Sequence, residues 1–185
     1  VADIGYKEVE FHDYFGRPPR AIRQLLDRNG LKSPACHVSL DSLKTGFHRT
    51  LADAVEVGHK WLIVAYLGTN DRNSIDAIYD ILLAECEPEY VDFEMGRYWA
   101  TKAGASPLDY FAKHPGRFPL VHVKDAGPPP DRKMLEVGKG TIDWKAIFAQ
   151  QKLGGIKHFL VEHDNPTDPM QSIATSFRYL KELRF

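Results

Sequence analysis

Cysteine is scarce in this chain. It holds two, Cys36 and Cys86, at no metal-type spacing, which leaves no basis for a disulfide scaffold or a cysteine-built zinc site. Free thiols in a reducing compartment are the expectation. Long apolar runs are also missing. The strongest, WLIVAY at 61–66, is far too short to span a bilayer, so no membrane partner is expected. Neither sign of charge dominates. A net charge of −1 gives no field that would gather nucleic acid or an anionic surface. There is no sustained heptad, no low-complexity segment and no linker marking a second domain, so residues 1–185 read as one domain. An initiating Met is lacking as well. The chain starts at Val1 with no visible signal peptide; a cytoplasmic protein is expected, and a targeting segment upstream is left open.

What is present is ordinary globular material. The 185 residues are 43% hydrophobic and 26% charged, enough for a domain with a real core. Short apolar runs alternate with amphipathic stretches. Strands are predicted at 6–11 (YKEVEF), 35–40 (ACHVSL), 60–68 (KWLIVAYLG), 90–95 (YVDFEM), 119–125 (PLVHVKD) and 158–164 (HFLVEHD). Helices are predicted at 19–30, 50–59, 107–114, 141–151 and 170–183. Such alternation implies right-handed βαβ units and a parallel sheet. The stretch KDAGPPPDRKMLEVGKG, 124–140, follows a strand and carries three consecutive prolines, so it reads as a stiff, irregular loop on the functional face of the sheet.

Polar side chains collect at the strand ends. Side chains alternate along a strand, so His122 shares a face with Lys124, and Glu162 with Asp164. A carboxylate inside an apolar strand is costly unless paired or metal-bound, which singles out Glu162. His37, within ACHVSL, is a weaker candidate, because a lone His on an apolar strand is more often a hydrogen-bonded core residue. Glu10 ends the first strand. Gly96, inside FEMGRYW, is out of place in a strand interior, where glycine usually marks a bulge or a close approach.

The succession FEMGRYWATKAGASPLDYFAKHPGRFPLVHVKD, VGKGTIDWKAIF and IKHFLVEHDNP resembles the sugar phosphate isomerase/epimerase family, with the xylose isomerase-like TIM barrel. The resemblance covers nearly the whole chain. It implies a (β/α)8 barrel, here lacking the first and fifth strands, since the sequence opens within the first helix and SIDAI runs straight into YDILLAECEP. A gap near 78–79 is expected on this comparison; one continuous amphipathic helix is the reading from pattern alone.

Family members hold a divalent metal at the C-terminal strand ends with Glu, Asp, His and Glu ligands. By resemblance, His122 and Glu162 are the last two. Gly96 stands where the Asp would be, and the fifth-strand Glu is absent. The implied cofactor is Mn²⁺, Mg²⁺, Co²⁺ or Zn²⁺, weakly held, and the implied catalytic residue is Glu162. Lys124, Trp99 and His37 are the candidate substrate contacts. The implied activity is isomerisation or epimerisation of a sugar or sugar phosphate by proton transfer next to a carbonyl, in a homo-oligomer on family precedent. A binding-only relative that has lost its metal is the alternative. An abasic-site endonuclease, which shares the barrel, is disfavoured by the near-neutral charge.

Overall fold

A computed structural model describes residues 1–65, 82–96 and 106–185. The chain divides into two compact units, Val1–Arg72 and Asn73–Phe185. The expected irregularity near 78–79 lies outside the described residues.

In the N-terminal unit, a 3-10 turn at Ala2–Ile4 precedes an extended segment. That segment makes isolated parallel bridges, Glu8 with Lys32 and Phe11 with Cys36, rather than the continuous strand expected at 6–11. Helix α1, Pro19–Asn29, opens on a proline and closes on Gly30 at φ 61°. Proline needs no amide partner in the first turn, and glycine takes the left-handed cap without strain. Its apolar face buries Ile22 and Leu26 against Val57, with Val9, Phe11 and Leu31 around them. Strands β1 (Ala35–His37) and β2 (Trp61–Ile63) pair in parallel.

Helix α2, Leu40–Val57, begins ten residues before the expected start at 50. The Ser39 side chain accepts from the Ser42 amide, and that N-cap lifts the chain off the strand line after His37. Non-helical geometry at Gly46 kinks α2, which interrupts the periodicity that sequence reading relies on.

The C-terminal unit is built on a three-stranded parallel sheet, β3 (Glu94–Gly96), β4 (Leu120–Val123) and β7 (His158–Val161), in the order β3-β4-β7. Strand alternation decides what each face holds. Val121 and Val123 are fully buried in a core with Met95, Phe111, Phe118, Trp144, Ile147 and Phe148. Complete burial of each such side chain contributes about 1.5–3 kcal/mol. Helix α3 (Pro107–Lys113) supplies Phe111, and α4 (Trp144–Ala149) supplies Trp144 and Phe148. The helix expected over 141–151 is two pieces, α4 and α5 (Gln151–Gly154), separated at Gln150. The last helix, α6, is Pro169–Glu182, capped by Asp168 through the amides of Met170 and Gln171.

The irregular loop contains order that the sequence hides. Strands β5 (Asp125–Ala126) and β6 (Met134–Leu135) pair antiparallel, an addition to the parallel strands read from sequence. Among the described residues the strands form sheets of two, three and two and close no barrel.

Candidate active site

The candidate site of the C-terminal unit grows from β4. Because Val121 and Val123 face the core, His122 projects from the other face. In the sheet register, His122 lies beside Gly96 of β3 on one side and Leu160 of β7 on the other. Glu162 follows β7 and is tied to β4 by its amide, which donates to the Val123 carbonyl at 3.3 Å. Neighbouring parallel strands thus deliver side chains to one edge.

Two carboxylates meet opposite nitrogens of one imidazole. His122 Nδ1 is 2.9 Å from Glu162 Oε2, and Nε2 is 3.2 Å from Glu94 Oε1. Glu162 Oε2 also receives Lys124 Nζ at 2.7 Å, and Lys124 reaches Asp164 Oδ1 at 3.1 Å. Lys124 is only 3% exposed; an ammonium at that depth is tolerable only with such partners. Burial pushes the Glu162 carboxyl up, but hydrogen bonds and charge from His122 and Lys124 outweigh it and hold the group well below the usual carboxylate range.

The sequence pairing of His122 with Lys124 and of Glu162 with Asp164 therefore describes one connected cluster. Glu94, which strand parity places on the same side as Gly96, reaches His122 from two residues down the strand. Asp125 is different: its carboxylate accepts from the amides of Ala126, Gly138 and Ile142 and from Trp144 Nε1. Such full engagement pins the GKG segment to the strand end and leaves Asp125 a structural bolt. Trp99 lies outside the described residues.

His37 belongs to the N-terminal unit. Its Nε2 is 2.9 Å from Glu10 Oε1, so this histidine has the carboxylate partner that a lone core histidine lacks. The signal was available in sequence only as two polar residues, each at a strand end.

The C-terminal cluster offers O and N donors of the kinds that Mn²⁺, Mg²⁺, Co²⁺ and Zn²⁺ accept; Glu94 and Glu162 lie on opposite nitrogens of His122, and the Lys124 ammonium sits on Glu162.

No family model matches the chain, and no curated protein matches it. Solved structures do, and they define the class: the chain has the xylose isomerase-like TIM-barrel fold. One is a sugar phosphate isomerase/epimerase from Parabacteroides distasonis, at 20% identity and TM-score 0.77 over 98% of this chain and 89% of that one. A second is a xylose isomerase domain protein from Planctomyces limnophilus, at 15% identity and TM-score 0.72 over 97% and 89%. A third is the IolI protein with a zinc atom, at 13% identity and TM-score 0.73 over 97% and 88%. No helix among the described residues is long and apolar enough to cross a membrane.

Proposed function

We propose that this chain is a divalent-metal-dependent isomerase or epimerase of a sugar or sugar phosphate, moving a proton next to a carbonyl. The observation that carries the reading is His122 held between Glu94 and Glu162 at the edge of a parallel sheet. A fold neighbour named as a sugar phosphate isomerase/epimerase, and another, the IolI protein, with a zinc atom, support it.

In this reading His122 and Glu162 hold the cation, and Glu94 orients the imidazole from its other nitrogen. An imidazole presents one nitrogen to a given ion, and a carboxylate on the second fixes ring orientation and tautomer. Glu162 is the choice for ligand because its side chain is 37% exposed, against 7% for Glu94, so it faces incoming substrate. The cation would polarise a substrate carbonyl. Glu162 is also the proton carrier. Its lowered pKa makes it a weak base while Lys124 holds it, and a substrate oxygen that takes over Lys124 raises its basicity. Lys124 thereby doubles as a substrate contact. His37 and Trp99 remain substrate contacts in the proposal, and residues 1–185 serve as one domain.

Titration with Mn²⁺, followed by assays on free and phosphorylated ketoses, tests the reading. Cation binding and turnover that both fall in Glu162→Gln are expected; turnover unaffected by that change overturns it. The second reading, a binding-only relative, is favoured by Gly96, which stands level with His122 and carries no side chain. Stoichiometric metal without turnover on any ketose would support it.

A further inference from the structure

Helix α2 leaves part of its apolar surface uncovered. Its straight part, residues 47–57 beyond the break at Gly46, buries Ala54 and Val57. Phe47, Leu51 and Val55, each four residues from the next and so in one row along the helix, are 48%, 40% and 66% exposed. Single exposed apolar residues need no explanation, but a row of three on one helix marks a contact surface. We propose that this face of α2 is a contact between two copies of the chain, packed antiparallel about a two-fold axis near Leu51 and Ala52. The inference rests on the N-terminal unit alone and does not depend on the isomerase reading.

Charge selects a second copy as the occupant. Arg49 and Glu56 are both exposed and stand seven residues apart, about two turns, which sets them on one edge of the helix. Ala52, also exposed, lies between that edge and the apolar row, and its small side chain lets two backbones approach. In the antiparallel pair, Arg49 of each copy comes level with Glu56 of the other, twice by symmetry. The apolar rows meet in the same register, Leu51 on Leu51 and Phe47 on Val55. A parallel pair would instead set Arg49 against Arg49 and Glu56 against Glu56, which is repulsive.

Neither charge is used within the chain. Among the described residues, Arg49 and Glu56 make no ion pair. Glu56 also sits in the last turn of α2, which holds no basic residue. The partial negative charge of a helix C-terminus disfavours a carboxylate there, and Arg49 from a second copy offsets that cost. Size sets the strength. One pair of such helix faces lies at or below the low end of the roughly 1,200–2,000 Å² of a standing interface. The dimer is therefore reversible, with a dissociation constant on the order of 10–100 μM.

The test is sedimentation equilibrium of the full chain from about 5 to about 500 μM. A monomer–dimer equilibrium is expected, and Leu51→Glu should leave only monomer. Arg49→Glu and Glu56→Arg should each weaken the dimer at least about fivefold, because like charges then face each other. An equimolar mixture of those two variants should form a heterodimer in which both pairs are restored. The double variant carrying Arg49→Glu and Glu56→Arg should dimerise with itself like wild type. Circular dichroism confirms that each variant is folded. A chain that stays monomeric at the highest concentration leaves this face to a different protein and overturns the proposal. So does a dimer indifferent to Leu51→Glu, or a pair of charge variants that fail to rescue each other.

Discussion

Glu94 lies two residues ahead of the strand position level with His122, yet its Oε1 is 3.2 Å from His122 Nε2. The glutamate side chain spans the offset that Gly96, beside His122, leaves open. Glu94→Ala should therefore weaken Mn²⁺ binding by about 10–100-fold, the usual effect of removing a carboxylate that orients a ligating imidazole. Gly96→Asp should strengthen it by adding an anionic donor level with the ring. Calorimetric titration of both variants checks this; an unchanged affinity in each would show that neither position bears on the cation.

In the proposed metal site, Lys124 would compete with the cation for Glu162. Its ammonium lies 2.7 Å from Glu162 Oε2 in a nearly buried position. Lys124→Met keeps the length and apolar stem and removes the charge. Divalent-metal affinity should rise while ketose turnover falls, because the substrate contact is lost. Reduced metal affinity in this variant would mean that Lys124 shapes the site instead of competing for it.

Asp125 predicts a stability defect. At 1% exposure it satisfies four N–H donors, and Asn replaces one acceptor oxygen with a donor facing them. Asp125→Asn should cost about 2–4 kcal/mol, read as a lowered midpoint in urea melts. Gly140→Ala should be similarly harmful, since a Cβ there would overlap the Asp125 carboxylate and the Ala126 carbonyl. A midpoint within error of wild type for both would mean that the GKG segment is not pinned here.

Cys36 is 4% exposed, and burial pushes its thiol up to about 11; the Tyr14 hydrogen bond opposes the rise, and the smaller effect of the Glu10 charge adds to it. Native protein treated with iodoacetamide at pH 8 should stay unlabelled at Cys36, and label should appear on unfolding, by mass spectrometry of peptides. The sign of the stability effect follows. An unfolded cysteine ionises near pH 8.5, so the contribution is fully present below that and is lost as pH rises toward about 11. Rapid native labelling at pH 8 would contradict the burial argument.

Much of the C-terminal unit was legible in sequence. PLVHVKD alternates apolar and polar residues from Val121 to Lys124, and a strand period of two leaves one way to seat Val121 and Val123 in the core, with His122 facing the other way. The N-terminal unit was less legible. The stretch 40–49 carries Gly46 and few core residues, so its helical character depends on the Ser39 cap and on packing. The antiparallel β5–β6 pair was hidden by its length of two residues per strand, below any periodicity.

The order of elements, the parallel register and the faces of His122, Lys124 and Glu162 were determined by sequence, because they follow from local periodicity. Only the tertiary structure decided which nitrogen of His122 meets which carboxylate, that Asp125 is a bolt while Lys124 joins the cluster, and that Glu10 is the partner of His37. Those outcomes depend on distances between residues 13 to 40 positions apart, and such distances are fixed by sheet register and packing, which local pattern does not encode.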